Sequence, residues 1–155
     1  MPTPDFVLSL REKIGHELLW LTGVTAVVVR GSDVLLVKRA DNGQWTPVTG
    51  IIDPGEQPAV AAERETLEEA GIVARAEALA WVQVTEVITY GNGDQSQYID
   101  HVFRCSYVSG DPFPVDGENS EAAWFPLDAL PSMTPNMLER IMTAVEASGP
   151  ARFER

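Results

Sequence analysis

The stretch from Gly50 to Ile72, GIIDPGEQPAVAAERETLEEAGI, concentrates the residues that could do chemistry. Asp53-Pro54-Gly55 has turn chemistry, because proline presets φ and glycine tolerates positive φ. Pro58 suits the first turn of a helix, where its missing N–H costs nothing. The Ala, Glu, Arg and Leu residues that follow favour a helix over 58–70, and Gly71 is a natural stop. At about 100° per residue, Glu65, Glu68 and Glu69 fall on one face of that helix, with Val60, Leu67 and Ala70 roughly opposite and turned toward a core. Like charges three and four residues apart repel by a few tenths of a kcal/mol per pair, so a positive partner is expected. Mg²⁺ or Mn²⁺ would serve, since hard cations bind through carboxylates together with substrate phosphates. The plainer alternative is a solvated acidic face with Arg64 beside it.

The rest of the chain must position this helix. At 155 residues, one domain spanning 1–155 is expected, large enough for a core without staples. Apolar residues make up 45%, which favours folding over disorder. The net charge is −12, from 23 acidic and 11 basic residues. That argues against a nucleic-acid polymer as partner, which needs a basic footprint. A small nucleotide remains compatible, because a divalent cation can bridge acidic protein and phosphate. Cys105 is the only cysteine, so no intrachain disulfide or thiolate zinc cluster forms, and a small buried strand residue is expected there. No run reaches the length of a membrane span. The N-terminus shows no signal-peptide pattern, so a cytoplasmic location is the default expectation.

In chain order, Val7, Leu10, Ile14, Leu18 and Leu21 recur at helical spacing and predict an amphipathic helix up to residue 20. It would cover the sheet or join a homodimer interface; the sequence does not choose. His16 has no partner at metal-ligand spacing and reads as a surface or packing residue. Residues 23–30 and 33–39 predict two strands joined at Gly31-Ser32. Residues 72–90 and 97–107 predict a hairpin about Gly91-Asn92-Gly93-Asp94, irregular over 77–80. Its second strand places Ile99, His101, Phe103 and Cys105 on one face. His101 there is either a hydrogen-bonded strand residue or a substrate-facing one. Residues 109–120 form a loop, Glu121 begins a short strand ending at Trp124-Phe125, and Thr134 caps a closing helix with Pro135 at its first position. Residues 148–155 are expected to fray. By element order the chain is α+β.

The 50–72 stretch resembles the Nudix box, G-x5-E-x7-R-E-U-x-E-E-x-G-U, of the MutT-like Nudix hydrolases. Every fixed position matches; Thr66 stands where the pattern prefers a large aliphatic. The resemblance implies an α/β/α sandwich with a mixed β-sheet, to which the N-terminal helix is an addition, and metal-dependent attack on a diphosphate. Carried onto this chain, it makes Glu65, Glu68 and Glu69 metal ligands, with the general base left open among the glutamates. It makes Glu56 and Arg64 an ion pair that braces the loop against the helix, alongside Gly50 and Gly71. Where many members have Pro-Gly-Gly, this chain has Pro47-Val48-Thr49-Gly50. The carbonyl before the box glycine often ligates metal, and Thr49 can supply it, although its side chain would narrow the site.

The resemblance also singles out Arg39, as a phosphate contact or a solvated strand end, and Trp45, as core filler or a wall of the nucleotide site. Glu118 and Glu121 each read first as solvated loop acids; of the two, Glu118 is the preferred candidate for the extra catalytic or metal-binding loop glutamate that some members have. The implied cofactor is Mg²⁺ or Mn²⁺, and the implied substrate is a nucleoside diphosphate derivative such as ADP-ribose, a nucleotide sugar or a CDP-alcohol. The proline associated with ADP-ribose hydrolases would fall at position 88, which is Ile88, and the NADH-hydrolase and coenzyme A signatures are not evident. The alternatives are a nucleoside triphosphate pyrophosphohydrolase and a non-catalytic nucleotide-binding domain. Silent members commonly lose box acids, whereas this chain keeps them all.

Overall fold

A computed structural model describes residues 3–155. The elements run α1 (Asp5–Ile14), β1 (Leu19–Arg30), β2 (Asp33–Arg39), β3 (Trp45–Thr46), β4 (Val48–Ile51), α2 (Pro58–Ala70), β5 (Val73–Val84), β6 (Ile88–Thr89), β7 (Gln95–Ser109), β8 (Asn119–Pro126), α3 (Pro135–Val145) and β9 (Arg152–Phe153). The sheet follows the order β3-β2-β1-β7-β5-β9, with β4 added on β1, β6 on β7 and β8 on β2. β1 and β7 are parallel and pair from Leu19↔Ser96 to Val29↔Ser106, whereas most other pairs are antiparallel. The sheet is therefore mixed.

Two apolar layers sandwich it, as alternation along each strand requires. Val24, Ala26, Leu35, Val37 and Cys105 face α2 and pack with Ala61, Ala62 and Ala70. Val27, Val34, Leu36 and Val102 face the other way and pack with Ile141 and Ala144 of α3. The architecture is an α+β, α/β/α sandwich with α1 as an addition. Val7 of α1 closes a third small cluster with Leu19 and Leu21. The expected irregularity of β5 takes the form of register shifts at Ala76/Ala78 and Leu79/Trp81.

Several expectations are corrected. The first helix stops at Ile14, because Gly15 takes φ 60° and turns the chain. Leu18 is exposed, and Leu21 belongs to β1. The tail does not fray: Arg152 and Phe153 pair in parallel with Trp81 and Val82, and the Arg152 guanidinium lies 4.2 Å from the centre of the Trp81 ring. On α3, Thr134 caps the helix as expected and accepts from the Met137 amide. Leu138 and Met142 are exposed, while Arg140 is buried beside Ile141 and Ala144.

The largest correction concerns α2. Its outward face carries Val60 and Leu67, each about half exposed. Its inward face carries Ala61, Ala62, Glu65, Thr66, Glu69 and Ala70. Thr66 tolerates full burial because its hydroxyl donates to the Ala62 carbonyl at 2.7 Å. Two carboxylates thus occupy positions that helical amphipathicity normally gives to apolar side chains.

Candidate active site

Gly50 makes the burial of Glu65 feasible. A Cβ at position 50 would lie 2.2 Å from the Glu65 side-chain carboxyl carbon, so only glycine lets α2 approach β4 this closely. Glu65 is 0% exposed. Its Oε1 accepts from Arg64 Nη1 at 2.9 Å, and its Oε2 is buried without a hydrogen-bond partner among the described residues. Burial pushes the Glu65 carboxyl up to about 8, against the pull of Arg64 and with Glu69 and Glu68 adding to the rise.

Arg64 organises the loop ahead of the helix. It donates to Glu56 through Nε at 2.7 Å and Nη2 at 2.9 Å, to the Ile51 carbonyl at 3.3 Å, and to Glu68 at 3.1 Å. Glu56 in turn accepts from the Asp53 amide. The hydrogen bond from Arg64 holds the Glu56 carboxyl below the ordinary carboxylate range. The bidentate Arg64–Glu56 pair is strong and directional, and it fixes the turn at Asp53-Pro54-Gly55 against α2.

The other end of α2 is built by the loop over residues 110–118. Gly71 has φ 67°, and a Cβ there would also meet the Phe113 ring at 2.6 Å. Phe113 and Val115 donate their amides to the Ala70 and Glu69 carbonyls, which satisfies the helix C-terminus. That docking brings Asp116 and Glu118 to Glu69, with one carboxylate oxygen of each within 4.8 Å of the others. Asn119, buried on β8, donates to Glu69 at 3.3 Å. Burial pushes the Glu69 carboxyl up to about 7, eased by Asn119 and reinforced by Asp116 and Glu118. Sequence reasoning missed Asp116 and Asn119. Asp116 sits two residues before Glu118 in the same acidic loop, which was the available signal; Asn119 had none.

The structure sorts the remaining candidates. Glu68 stays 41% exposed at its side chain and pairs with Arg64 at 3.1 Å. Thr49 pairs with Thr25 in β4, next to Gly50. Because Gly50 faces α2, strand alternation turns the Thr49 side chain to the opposite face, so it does not narrow the site. Arg39 ends β2 beside this acidic end, where Ala40 donates its amide to the Glu118 carbonyl. Its guanidinium is clamped by Asp41 at 3.0 and 2.7 Å. Trp45 is not gathered with the acids: it packs edge-on against Phe125, 4.8 Å between ring centres, in the layer that faces α3. Glu121 pairs with Lys38 at 3.0 Å. His16 bonds Asp94 at the surface.

A divalent cation fits these residues. Glu65 has a buried oxygen that nothing among the described residues satisfies, and Glu65 and Glu69 both lie where burial disfavours their charge. A cation offsets both costs at once.

A mixed sheet between helical layers, with a glycine-seated glutamate on a braced helix, is the architecture of a Nudix hydrolase. The NUDIX domain family matches residues 20–144, and the chain belongs to that family. It is 30% identical over 129 residues to a MutT-like protein of Streptomyces ambofaciens, covering 82% of this chain and 78% of that protein. It is 32% identical over 109 residues to the NAD-capped RNA hydrolase NudC of Pseudomonas aeruginosa, covering 69% of this chain but only 36% of that relative's length. Among solved structures, a UDP-X diphosphatase superposes with a TM-score of 0.68 at 21% identity, over 96% of this chain and 73% of that one.

Proposed function

We propose that this protein hydrolyses the diphosphate linkage of a nucleoside diphosphate derivative, such as ADP-ribose, a nucleotide sugar or a CDP-alcohol, in a reaction dependent on Mg²⁺ or Mn²⁺. The observation that carries this reading is Glu65: fully buried over Gly50, with one oxygen unpartnered among the described residues, on the helix that also presents Glu69 to Asp116 and Glu118. A fold that buries two carboxylates on one helix has forgone stability that apolar residues would supply. Glu65, Glu68, Glu69 and the Thr49 carbonyl are the proposed metal ligands, joined by Glu118 from the loop. When bound, the metal neutralises diphosphate charge and lowers the pKa of water.

The chain's own residues then do the positioning. Arg64 holds Glu56, Glu65 and Glu68 in one constellation, so the carboxylates need little reorganisation when substrate arrives. Arg39 is the proposed phosphate contact, on exchanging Asp41 for a phosphate oxygen. A glutamate of this constellation is the proposed general base for the attacking water. The attack breaks a P–O bond of the diphosphate and gives a nucleoside monophosphate and a phosphorylated partner. The proposed setting is the cytoplasm and the proposed unit one domain. No helix among the described residues is long and apolar enough to cross a membrane.

The test is a screen of the purified protein with Mg²⁺ and, separately, Mn²⁺ on ADP-ribose, nucleotide sugars, CDP-alcohols, dinucleoside polyphosphates and nucleoside triphosphates. Phosphatase would reveal new terminal phosphates, and triphosphates would be followed by pyrophosphate release. A metal-dependent hit among the diphosphate derivatives is expected. A hit only among triphosphates replaces this substrate class, and silence with tight nucleotide binding replaces the enzyme by a binding domain.

A further inference from the structure

A cavity of ≈ 380 Å³ lies beside the N-terminal end of α2. Its walls include Phe6 of α1, Trp20 at the start of β1, His101 of β7, Pro58, and the loop residues Asp53 and Glu56. The NUDIX match begins at residue 20, so α1 adds the Phe6 wall from outside the matched segment. That wall is held rigidly: Arg11 of α1 donates to the Gln95 carbonyl at 2.7 Å and to the Ser96 hydroxyl at 3.2 Å. Trp20 is 56% exposed, although the α1 cluster lies next to it. An indole half open to a cavity offers a face on which a planar ring can stack.

His101 Nδ1 lies 3.1 Å from the Gly23 carbonyl oxygen. A carbonyl only accepts, so Nδ1 carries the proton and Nε2 of the neutral ring is an acceptor. No partner for Nε2 exists among the described residues, and the ring lines the cavity. The Glu56 carboxylate is already taken up by Arg64 and the Asp53 amide, so the acceptor that His101 turns to the cavity is what favours a group presenting an N–H donor. From Pro58 to Glu65 the helix rises about 10 Å, comparable to the reach of a ribose and base from a diphosphate.

We infer that the cavity between α1 and the 53–58 loop is a nucleobase subsite. It takes a base with an amino group at the purine 6 or pyrimidine 4 position, adenine or cytosine, stacked on Trp20 with that amino group donating to His101 Nε2. This deepens the proposed function and rests on it for the position of the diphosphate. Uracil and hypoxanthine present a carbonyl where adenine and cytosine present the amino group, and so meet His101 acceptor to acceptor.

The experiment is calorimetric titration of the full chain with AMP, CMP, IMP and UMP, alongside Mg²⁺-dependent turnover of ADP-ribose and its hypoxanthine analogue. AMP and CMP should bind about fivefold or more tighter than IMP and UMP, the effect of one hydrogen bond. Trp20→Ala should weaken AMP about tenfold, as expected for one stacking contact, and raise KM for ADP-ribose more than it lowers kcat; Trp20→Phe should retain binding. His101→Phe should erase the amino-over-oxo preference. Thermal unfolding of each variant confirms that it is folded. Equal binding of amino and oxo bases, or AMP binding indifferent to Trp20→Ala, overturns the subsite while metal-dependent turnover still upholds the proposed function. Amino-selective binding lost in Trp20→Ala, with no turnover of any diphosphate derivative, upholds the subsite and overturns the proposed function.

Discussion

On the α3 face of the sheet, Asp100 and Arg140 lie buried 3.4 Å apart within a closed set of partners. Arg140 donates to Thr25 and Asn136, Thr25 donates to Asp100, Gln83 donates to Asp100, and Asn136 donates to Gln83. On the α2 face, Glu65 is as deeply buried but keeps an oxygen unpartnered among the described residues, and Glu69 shares its surroundings with Asp116 and Glu118. Charge of both signs balances the first set. In the second, Arg64 is shared among Glu56, Glu65 and Glu68, and the acids at the far end of the helix crowd one another. Complete satisfaction makes a buried charged network a structural element, whereas an excess of one sign makes it a receptor for the opposite charge.

Substitutions should separate the two faces. The largest effect belongs to Glu69→Gln, expected to fold normally and to lose most turnover, at least about a hundredfold as for a displaced catalytic group. Weaker metal binding should accompany it in calorimetry. Wild-type rates in that variant would remove the box helix from the mechanism. Next comes Arg140→Met, which strands Asp100 as an unpaired buried charge and should cost about 3–5 kcal/mol of stability in urea unfolding. Its turnover per folded molecule should hold, because the network lies across the sheet from α2. If turnover collapsed while stability held, the assignment of roles to the two faces would be reversed.

Gly50→Ala forces a methyl into the Glu65 carboxylate and should cost about 1–3 kcal/mol as overpacking, with turnover falling further than stability. A smaller effect is expected with pH in metal-free protein. Glu65 and Glu69 have folded pKa values raised to about 8 and about 7 from 4.5. The folded state therefore binds more protons than the unfolded chain between those limits, and stability falls as pH rises through the window. A series of melting temperatures from pH 4.5 to 9 in chelator should decline, and added Mg²⁺ should flatten the decline. A rise with pH would contradict the burial assigned to these carboxylates. Smallest of all is Thr66→Val, which removes a hydroxyl bonded only to its own helix and should shift stability by no more than about 1 kcal/mol.

The box was legible in the sequence because its glycines, acids and arginine are spaced by local geometry. Gly71 ends α2 in the left-handed region, Pro58 begins it, and Arg64 reaches Glu56 across a turn that the Asp53-Pro54-Gly55 chemistry sets. The orientation of α2 was not legible. Helical periodicity grouped Glu65, Glu68 and Glu69 and opposed them to Val60, Leu67 and Ala70, which it assigned to the core. Ala70 is buried and Glu68 stays partly open as expected, but Val60 and Leu67 face out while Glu65 and Glu69 face in. That assignment assumes that burial follows hydrophobicity, and the close seat at Gly50 overrides it. The boundaries that failed differ in cause: α1 ends locally at Gly15, whose amide bonds the Arg11 carbonyl, whereas β9 depends on Trp81 and Val82, distant in the chain.

By itself the sequence determined the mixed α and β character, the box, and the identities of the residues able to bear charge at the site. Those features rest on interactions within a few residues: propensity, capping and turn chemistry. Only the tertiary structure decided which carboxylates are buried, that Asp116 and Asn119 join Glu69, that Trp45 belongs to the opposite layer, and that α1 with β1 and β7 encloses a cavity beside the box. Each of these depends on contacts between segments far apart in the chain. A side chain's burial, partners and proton affinity come from the surfaces packed against it, not from its neighbours in sequence.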